Sequence, residues 1–208
     1  MTNDADAATL VPDETAPTTR CRILATAERF FHEIGYQKTT VADIAKALRM
    51  SPANVYRFFE SKKAINEAVV ARVIEDIEAL IATIADAPGR SATDRIADIV
   101  RALHHDCVER CRANPRMHEM VEAAMSESWE VCGRHVSRIG AVLVRVVGEG
   151  MRDGEFGVAD AEVAALCVQA AIVRYCNPLL VSLYPNIPGP PLEDMIGFLL
   201  RGLRAPSS

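Results

Sequence analysis

The chain has 208 residues and a net charge of −5; half of the residues are apolar, a quarter are charged and 5% are aromatic. This balance excludes a fully disordered chain, and the scarcity of aromatic residues favours an all-α protein over a β-sheet protein. The net acidic charge, if it were spread evenly, would also argue against nucleic-acid binding.

The chain is predicted to begin with a disordered arm followed by a helix. Residues 1–18 are rich in Thr, Asp, Ala and Pro and show no periodic apolar face, which is typical of a disordered segment. From Thr19 to Ile34, apolar residues recur at intervals of three and four, which indicates an amphipathic helix. Gly35 follows as the expected C-terminal stop of this helix.

Two short helices are predicted next, with about three residues between them. Thr40 precedes Asp43 by three positions, which is the arrangement of a capping box at a helix start. Ser51 is the expected cap of the following helix, because Pro52 then occupies the first helical position, where its missing N–H group has no cost. Two short helices joined by so tight a turn are typical of a helix-turn-helix.

A fourth helix is predicted from Ser61 to Ile84, and it leads into a longer helical region. Charge separates the two parts, since residues 20–63 carry nine Lys or Arg against four Asp or Glu, whereas residues 64–208 carry fourteen against twenty. Such asymmetry is expected where only one module meets a polyanion. We therefore divide the chain into an arm (1–18), a helix-turn-helix DNA-binding domain (19–63) and a helical domain (64–208). Further helices are predicted at about 92–112, 115–126, 128–152, 160–183 and 191–203.

The apolar content of the C-terminal domain does not indicate a membrane protein. The most apolar run, Val163 to Val181, contains Arg174 and is predicted to be a buried helix of a globular domain. The acidic N-terminus lacks the basic and apolar segments of a secretory leader, so we expect a cytoplasmic protein. The six cysteines form no CxxC pair and are expected to be free thiols in a reducing cytosol.

The outward side chains of the third helix suit the major groove of DNA. Its apolar residues turn inward, which leaves Ala53, Asn54, Tyr56 and Arg57 facing outward. Asn can pair with adenine and Arg with guanine through two hydrogen bonds, Tyr can donate to a phosphate, and Ala can pack on a thymine methyl group. Lys62, near the start of the fourth helix, adds a charge directed at phosphate.

Several linked motifs recur through this N-terminal third. They are Arg22-Ile-Leu, Phe31 with Gly35-Tyr36, Thr39 to Ala45, Ser51 to Phe59, and Ser61-Lys62. Together they resemble the N-terminal DNA-binding domain of TetR-family (TetR/AcrR) transcriptional regulators. The resemblance implies a homodimer, a palindromic double-stranded DNA operator, and a C-terminal cavity for a small, largely apolar effector that releases the protein from DNA. The implied protein is a repressor with no cofactor.

The DNA contacts carried over by this resemblance fall into two groups. Phosphate binding is implied for Thr40, Tyr56 and Lys62. The bases or the adjoining backbone are implied to be contacted by Pro52, Ala53, Asn54 and Arg57, and Ser51 is counted with them as the cap of the helix. One departure is Arg49, at the turn position where the family usually has Gly; a left-handed backbone there costs a non-glycine residue roughly 1–2 kcal/mol.

The C-terminal domain carries weaker signals. By the same resemblance, the last two long helices pair with their copies in a four-helix interface, although each apolar residue could equally belong to the core of one chain. The interface candidates are Val163, Leu166, Ala170, Ala171, Ile196, Leu199, Leu200 and Leu203. An effector pocket is expected between the helices of 92–152 and the helix after 160, although Met stripes are also typical of cores. The pocket candidates are Leu103, Cys107, Cys111, Met117, Met120, Met125, Trp129, Cys132, Cys167, Val173, Tyr175 and Cys176.

Alternatives to this interpretation stay open. His104, Cys107 and Cys111 share one helical face, so a soft-metal or thiol-oxidation sensor is an alternative to thiols that only pack, and we assign no metal site. A DNA-binding architectural or partner-recruiting protein without small-molecule control is the alternative function. An enzyme is disfavoured, because the sequence has no GxSxG, HExxH, glycine-rich phosphate loop or paired carboxylates.

Overall fold

The computed structural model describes residues 18–114, 116, 120, 123, 130–183 and 188–204. These residues are helical apart from turns and one isolated β-bridge between Phe156 and Arg204, so the all-α prediction is confirmed. The helices are α1 (Thr19–Glu33), α2 (Val41–Ala47), α3 (Pro52–Tyr56), α4 (Lys62–Ala85), α5 (Ala92–Ala113), α6 (Glu130–Arg152), α7 (Ala161–Cys176), α8 (Pro178–Leu183) and α9 (Leu192–Leu203).

The starts of the N-terminal helices are fixed by the caps that the sequence predicts. The Thr40 hydroxyl accepts from the N–H of Asp43 at 3.1 Å, and the Asp43 carboxylate accepts from the N–H of Thr40 at 3.0 Å, which completes the capping box of α2. Ser51 caps α3 by accepting from the N–H of Asn54 at 3.3 Å. Gly35, just beyond α1, has a φ of 99°, a value that glycine adopts without strain.

An N-terminal core joins α1, α2 and α3 to the first turns of α4. Its fully buried side chains include Phe31, Ile44, Val55 and Ile65. Burying side chains of this size stabilises the fold by about 1.5–3 kcal/mol each. Because Ile65 and its neighbours on α4 belong to this core, the predicted boundary between residues 63 and 64 lies inside a continuous helix.

A second core lies in the C-terminal body, between the later turns of α4 and helices α5, α6, α7 and α9. Leu143 on α6 is fully buried at its centre. Arg95 ties three helices together, since its Nη1 donates to the Ala85 carbonyl at the end of α4 at 2.8 Å and to Glu149 of α6 at 2.5 Å. The body is therefore held mainly by contacts between residues far apart in the sequence.

The predicted helix over 160–183 is wrong in one respect, because it breaks at Asn177. Pro178 has no N–H to continue the α-helical bonding, and the Asn177 side chain accepts from the N–H groups of Leu179 and Leu180 at 3.0 and 3.2 Å. This cap starts α8 as a separate helix. Some of the predicted elements lie almost wholly outside the described residues. They are the helix over 115–126, the first residues of the helix over 128–152, and residues 1–17 of the arm.

The expectation that Val163–Val181 is buried is also wrong for one side of the helix. The stretch Ala161–Ser182 has the length and mean hydropathy (1.5) of a membrane span, but only 28% of its most apolar window is buried. Val163 and Leu166 are among its exposed side chains. An exposed apolar face on a helix packed into a protein body is typical of a protein–protein contact.

Candidate nucleic-acid interface

Helix α3 presents a buried face to the N-terminal core and an exposed face to the outside. Val55 and Phe59 are buried, as predicted for the inner side. Ala53 and Arg57 are exposed, and Tyr56 is 51% exposed. Three of the predicted outward side chains are therefore free to reach a groove of DNA.

Asn54 is placed less favourably than the sequence suggests. It is partly buried, and its Nδ2 lies 3.8 Å from Met50 Sδ, a weak contact with a sulfur acceptor. A base edge offers a stronger partner for the side-chain amide than a thioether does. Binding a base through Asn54 therefore requires only a rotation of the side chain away from Met50.

Phe58, just beyond the end of α3, is 41% exposed. The next residue, Phe59, points the other way and is buried. The cation of Arg20, on α1, lies 4.7 Å from the centroid of the Phe59 ring, which ties the start of α1 to the end of α3. This contact was not predicted, because residues 39 positions apart in the sequence give no local signal.

Thr40 and Lys62 lie at the starts of α2 and α4. Thr40 is exposed, and its hydroxyl donates to the Asp43 carboxylate at 2.6 Å. The hydrogen bonds from the side chain and the backbone N–H of Thr40 hold the pKa of Asp43 below its usual range. Asp43 therefore stays ionised and accepts from both the N–H and the hydroxyl of Thr40, which lies at the surface.

Lys62 is oriented by the loop between α1 and α2. Its Nζ donates to the carbonyl of Gln37 at 3.3 Å and lies 4.3 Å from the centroid of the Tyr36 ring. Tyr36 is itself buried and packs edge-on against Phe31, with ring centroids 5.4 Å apart. Tyr36 therefore supports the Lys62 side chain. No role was predicted for it from the sequence, although it belongs to the Gly35-Tyr36 motif.

The predicted pocket residues do not come together in one place. Met120 and Cys132 belong to the N-terminal core, whereas Leu103 belongs to the core of the body. Cys167 and Val173 are exposed on α7. Met117, Met125 and Trp129 lie outside the described residues.

The remaining pocket candidates form a thiol cluster where α5, α7 and α8 meet. Cys107 is buried beside Cys111 and Cys176, and burial together with the neighbouring Cys111 raises its pKa far above the usual range. Burial raises the pKa of Cys176 to about 11. The thiols of Cys107 and Cys176 are therefore protonated at neutral pH, a state that reacts slowly with oxidants.

Hydrogen bonds to backbone carbonyls already engage the groups around this cluster. His104 Nδ1 lies 2.8 Å from the carbonyl oxygen of Tyr175, and the Cys176 thiol donates to the carbonyl of Ile172 at 3.2 Å. Cys111 Sγ lies 3.8 Å from the carbonyl of Pro178. In the part of the chain that the structure describes, no three His, Cys, Asp or Glu side chains are grouped as metal ligands.

An apolar face formed by α7 and α9 is exposed on the body. Leu166 is 64% and Phe198 is 65% exposed, and Val163 and Val173 are also exposed. A groove of about 560 Å³ runs along this face between the two helices and is lined in part by Val163, Phe198 and Cys167. We call this surface the α7–α9 face.

One of the predicted interface residues does not lie on this face. Ile196 is 3% exposed and points into the core of the body, whereas Leu203, although only 5% exposed, lines the groove. Ala170 is exposed, and Ala171, Leu199 and Leu200 are half-buried. Phe198 was not among the predicted interface residues, although, like Val163 and Leu166, it is an apolar residue on one of the last predicted helices.

Two family models match this chain. One, described as bacterial regulatory proteins of the tetR family, matches residues 23–69 and so covers α2, α3 and most of α1. The other, described as the tetracyclin repressor-like C-terminal domain, matches residues 92–186 and covers α5 to α8. The first match covers most of the N-terminal core and the second covers most of the body, although Met120, Ala123 and Val131 of the second match pack into the N-terminal core.

Individual proteins of the same kind are similar to the chain. The HTH-type transcriptional regulator UidR of Escherichia coli (strain K12) is 27% identical over 138 residues, which are 66% of this chain and 55% of UidR. The match thus spans about half the length of that relative. A solved tetR-family regulatory protein from Rhodococcus RHA1 has a TM-score of 0.61 and 21% identity, covering 92% of this chain and 100% of its own.

A further solved structure, RolR in complex with the ligand resorcinol, has a TM-score of 0.58 and 15% identity, covering 88% of this chain and 86% of its own. These two likenesses show a shared fold. The helix-turn-helix geometry and the two family models agree with them, and the chain belongs to the TetR family of transcriptional regulators.

Proposed function

We propose that the protein is a cytoplasmic, homodimeric repressor that binds a palindromic operator through α3 and is released by a small, largely apolar ligand. The observation that carries this proposal is the pairing, in one chain, of an exposed recognition helix with an unpartnered apolar face. The first suits a groove of DNA, and the second suits a copy of the same chain.

The DNA contacts divide by chemistry. Arg57 and Asn54 read base edges through paired hydrogen bonds, and Ala53 and Pro52 pack against bases or the adjoining sugar. Tyr56, with half of its side chain exposed, donates to a phosphate, as do Lys62 and the exposed cap Ser51. Thr40 donates to a phosphate once its hydroxyl turns away from Asp43. Phosphate contacts fix the position of the protein, whereas base contacts select the sequence.

The dimer forms through the α7–α9 face. A two-fold axis places the same apolar side chains of both protomers opposite one another, so Leu166 and Phe198 are removed from water in each. A helix-turn-helix dimer then binds two half-sites whose centres are about 34–36 Å apart along the duplex. Operator binding thus depends on a surface far from α3.

Release by a ligand requires a connection between the body and the DNA-binding domain. Arg116 of the body donates to the carbonyl of Glu33 at the end of α1 at 2.5 Å, and Met120, Ala123 and Val131 pack into the N-terminal core. A ligand that binds a state in which this segment has moved therefore shifts the position of α3. RolR, which shares the fold, holds a small aromatic molecule, and this supports a small apolar effector here.

The DNA-binding proposal is tested by sequence selection from a pool of random duplexes, followed by binding measurements on four variants. We expect Asn54→Ala and Arg57→Ala to weaken the selected duplex by roughly 1–3 kcal/mol and to leave random duplex unchanged. Tyr56→Phe and Lys62→Ala should weaken both duplexes alike. Arg152→Ala, at the far end of α6, is the matched control and should change neither.

Equal losses on both duplexes for all four variants would refute this division of roles.

The ligand proposal is tested on the same complex with a panel of small aromatic and aliphatic compounds that begins with resorcinol. We expect at least one compound to lower operator affinity tenfold or more. An affinity unchanged across the panel would favour the second function, a DNA-binding architectural or partner-recruiting protein without small-molecule control.

A further inference from the structure

Helix α2 ends in a complete Schellman motif that is closed by an arginine. The N–H of Arg49 donates to the carbonyl of Lys46 at 3.1 Å, and the N–H of Met50 donates to the carbonyl of Ala45 at 3.0 Å. In this motif the residue in the place of Arg49 must adopt a left-handed backbone conformation, and that residue is usually glycine. The turn of the helix-turn-helix is therefore made with a disfavoured residue.

The rest of the described chain uses glycine wherever the backbone is left-handed. Arg49 has a φ of 55°, and the other described residues with positive φ are Gly35, Gly89 and Gly154. A side chain at such a position strains the backbone, because its Cβ crowds the carbonyl oxygen. Strain of this kind persists where the side chain itself has a use.

Nothing that the structure describes within the protein uses the Arg49 side chain. The residue is exposed, and within the described residues its guanidinium has no hydrogen bond or ion pair. It stands two positions before Ser51, the cap of α3, and three positions after the exposed Lys46 in the last turn of α2. A free cation on a long side chain thus lies beside the helix that enters the groove.

We propose that Arg49 binds a backbone phosphate of the operator, next to the base contacts of α3. The planar guanidinium forms paired hydrogen bonds with phosphate oxygens, and this geometry suits an anion that is approached from the end of a flexible arm. The inference rests on the proposed operator binding and adds a contact that glycine at this position cannot make. The competing explanation is that the cation only favours the negative end of α2.

Three variants separate the charge of Arg49 from its backbone strain. Arg49→Gly removes both, Arg49→Ala removes the charge and keeps the strain, and Arg49→Lys keeps both. Affinity for the duplex selected by the wild-type protein is measured between 50 and 200 mM salt, and the melting temperature is measured without DNA.

For Arg49→Gly and Arg49→Ala, we expect the affinity at low salt to fall roughly 3- to 10-fold for each Arg49 side chain removed from the dimer. The magnitude of the slope of log K against log salt should also decrease by about one for each side chain removed. Arg49→Lys should keep the slope. Arg49→Gly alone should raise the melting temperature, by roughly 2–4 °C, so that it binds DNA worse while folding better.

An unchanged salt slope and affinity in Arg49→Ala would overturn the proposal. A lower melting temperature in Arg49→Gly together with unchanged DNA binding would instead favour the interaction with the end of α2. If the wild-type protein selects no duplex from the random pool, the proposed operator binding is refuted. This result is distinct from failure of the Arg49 proposal, in which the wild-type protein selects a duplex and Arg49→Ala binds it equally well.

Discussion

The DNA-binding domain and the C-terminal body are both helical, but the body adds contacts between distant residues to the local caps that both regions use. In the first, helix ends are set by residues three positions apart, such as Thr40 with Asp43 and Ser51 with Asn54. In the body, the start of α5 is held by Glu155, which accepts from the N–H groups of Ala92 and Thr93, 63 and 62 positions away. Local signals are readable in a sequence, whereas contacts over such distances are not.

Among the ion pairs, the body has local ones, such as Arg110 with Asp106, and also long-range ones. The pair of Arg29 and Glu33 in α1 lies one helical turn apart on a single helix. In the body, Glu78 of α4 pairs with both His135 and Arg138 of α6. Burial alone would raise the pKa of Glu78, but its hydrogen bonds with these two partners outweigh that effect and lower it.

The largest expected effect tests whether the two cores are separate. Phe31→Ala leaves a cavity in the N-terminal core and should destabilise it by about 3–5 kcal/mol, while the body keeps its own packing. Hydrogen exchange should show faster exchange in α1 to α3 and unchanged protection in α5 to α7. Leu143→Ala, in the body, should show the reverse. Uniform loss of protection in both variants would mean that the chain unfolds as one unit.

The second effect concerns the surface of the body. Leu166→Asp places a charge on the α7–α9 face and should weaken the dimer by at least about 2 kcal/mol, or roughly 30-fold. Sedimentation equilibrium measures this change. The matched control is Leu80→Asp, since Leu80 is also exposed but lies on α4. Equal weakening in both variants, or in neither, would show that this face is not the interface.

The third effect tests the long-range cap of α5. Burial tends to raise the pKa of Glu155, but hydrogen bonds from Thr93 and Ala92 outweigh it and hold the pKa below its usual range. Glu155→Gln should therefore cost about 1–2 kcal/mol of unfolding free energy at neutral pH. Glu75→Gln, on the exposed side of α4, is the control and should cost nothing measurable.

The pH dependence of this third effect follows from the direction of the shift. A carboxyl with a lowered folded pKa contributes stability above its unfolded pKa, roughly 4.3, and loses that contribution as the pH falls through the folded value. Denaturant melts of the two proteins should thus differ at pH 7 and converge below about pH 4. A difference that grows on acidification would contradict the role given to Glu155.

The smallest effect tests a local cap. Thr40→Ala removes the hydroxyl that accepts from Asp43 N–H and should lower the unfolding free energy by about 1 kcal/mol. Thr40→Ser keeps an acceptor in the same place and should restore most of the loss. Chemical denaturation measures both variants, and a full loss in Thr40→Ser would show that the methyl group, and not the cap, matters at this position.

The sequence predicted the DNA-binding domain nearly to the residue, because each of its signals acts locally. Thr40, Ser51 and Gly35 each determine a helix end through their own side chain or backbone freedom. A left-handed backbone at Arg49 was considered only through the family resemblance, as one possibility at a position where Gly is usual, and the structure shows it. No function was predicted for the Arg49 side chain, which was noted only as a departure from the glycine usual at this position.

In the body, the sequence predicted where the helices lie but not which of their faces are buried and which are exposed. Apolar spacing locates a helix, yet it cannot distinguish a face buried in one chain from a face left for a second one. Ile196 and Phe198 illustrate this, since they are two residues apart and the first is buried while the second is exposed. The break at Asn177 was missed because the apolar pattern continues across it.

The most direct test of the central claim is a hydroxyl-radical footprint of the protein on the duplex that it selects from a random pool. If α3 enters the major groove and is presented once by each protomer of a symmetric dimer, two protected segments should appear. Their centres should lie about 34–36 Å apart, or a whole number of helical turns, in sequences related by two-fold symmetry. A single unsymmetric segment, or protection no stronger than on random duplex, would contradict the account.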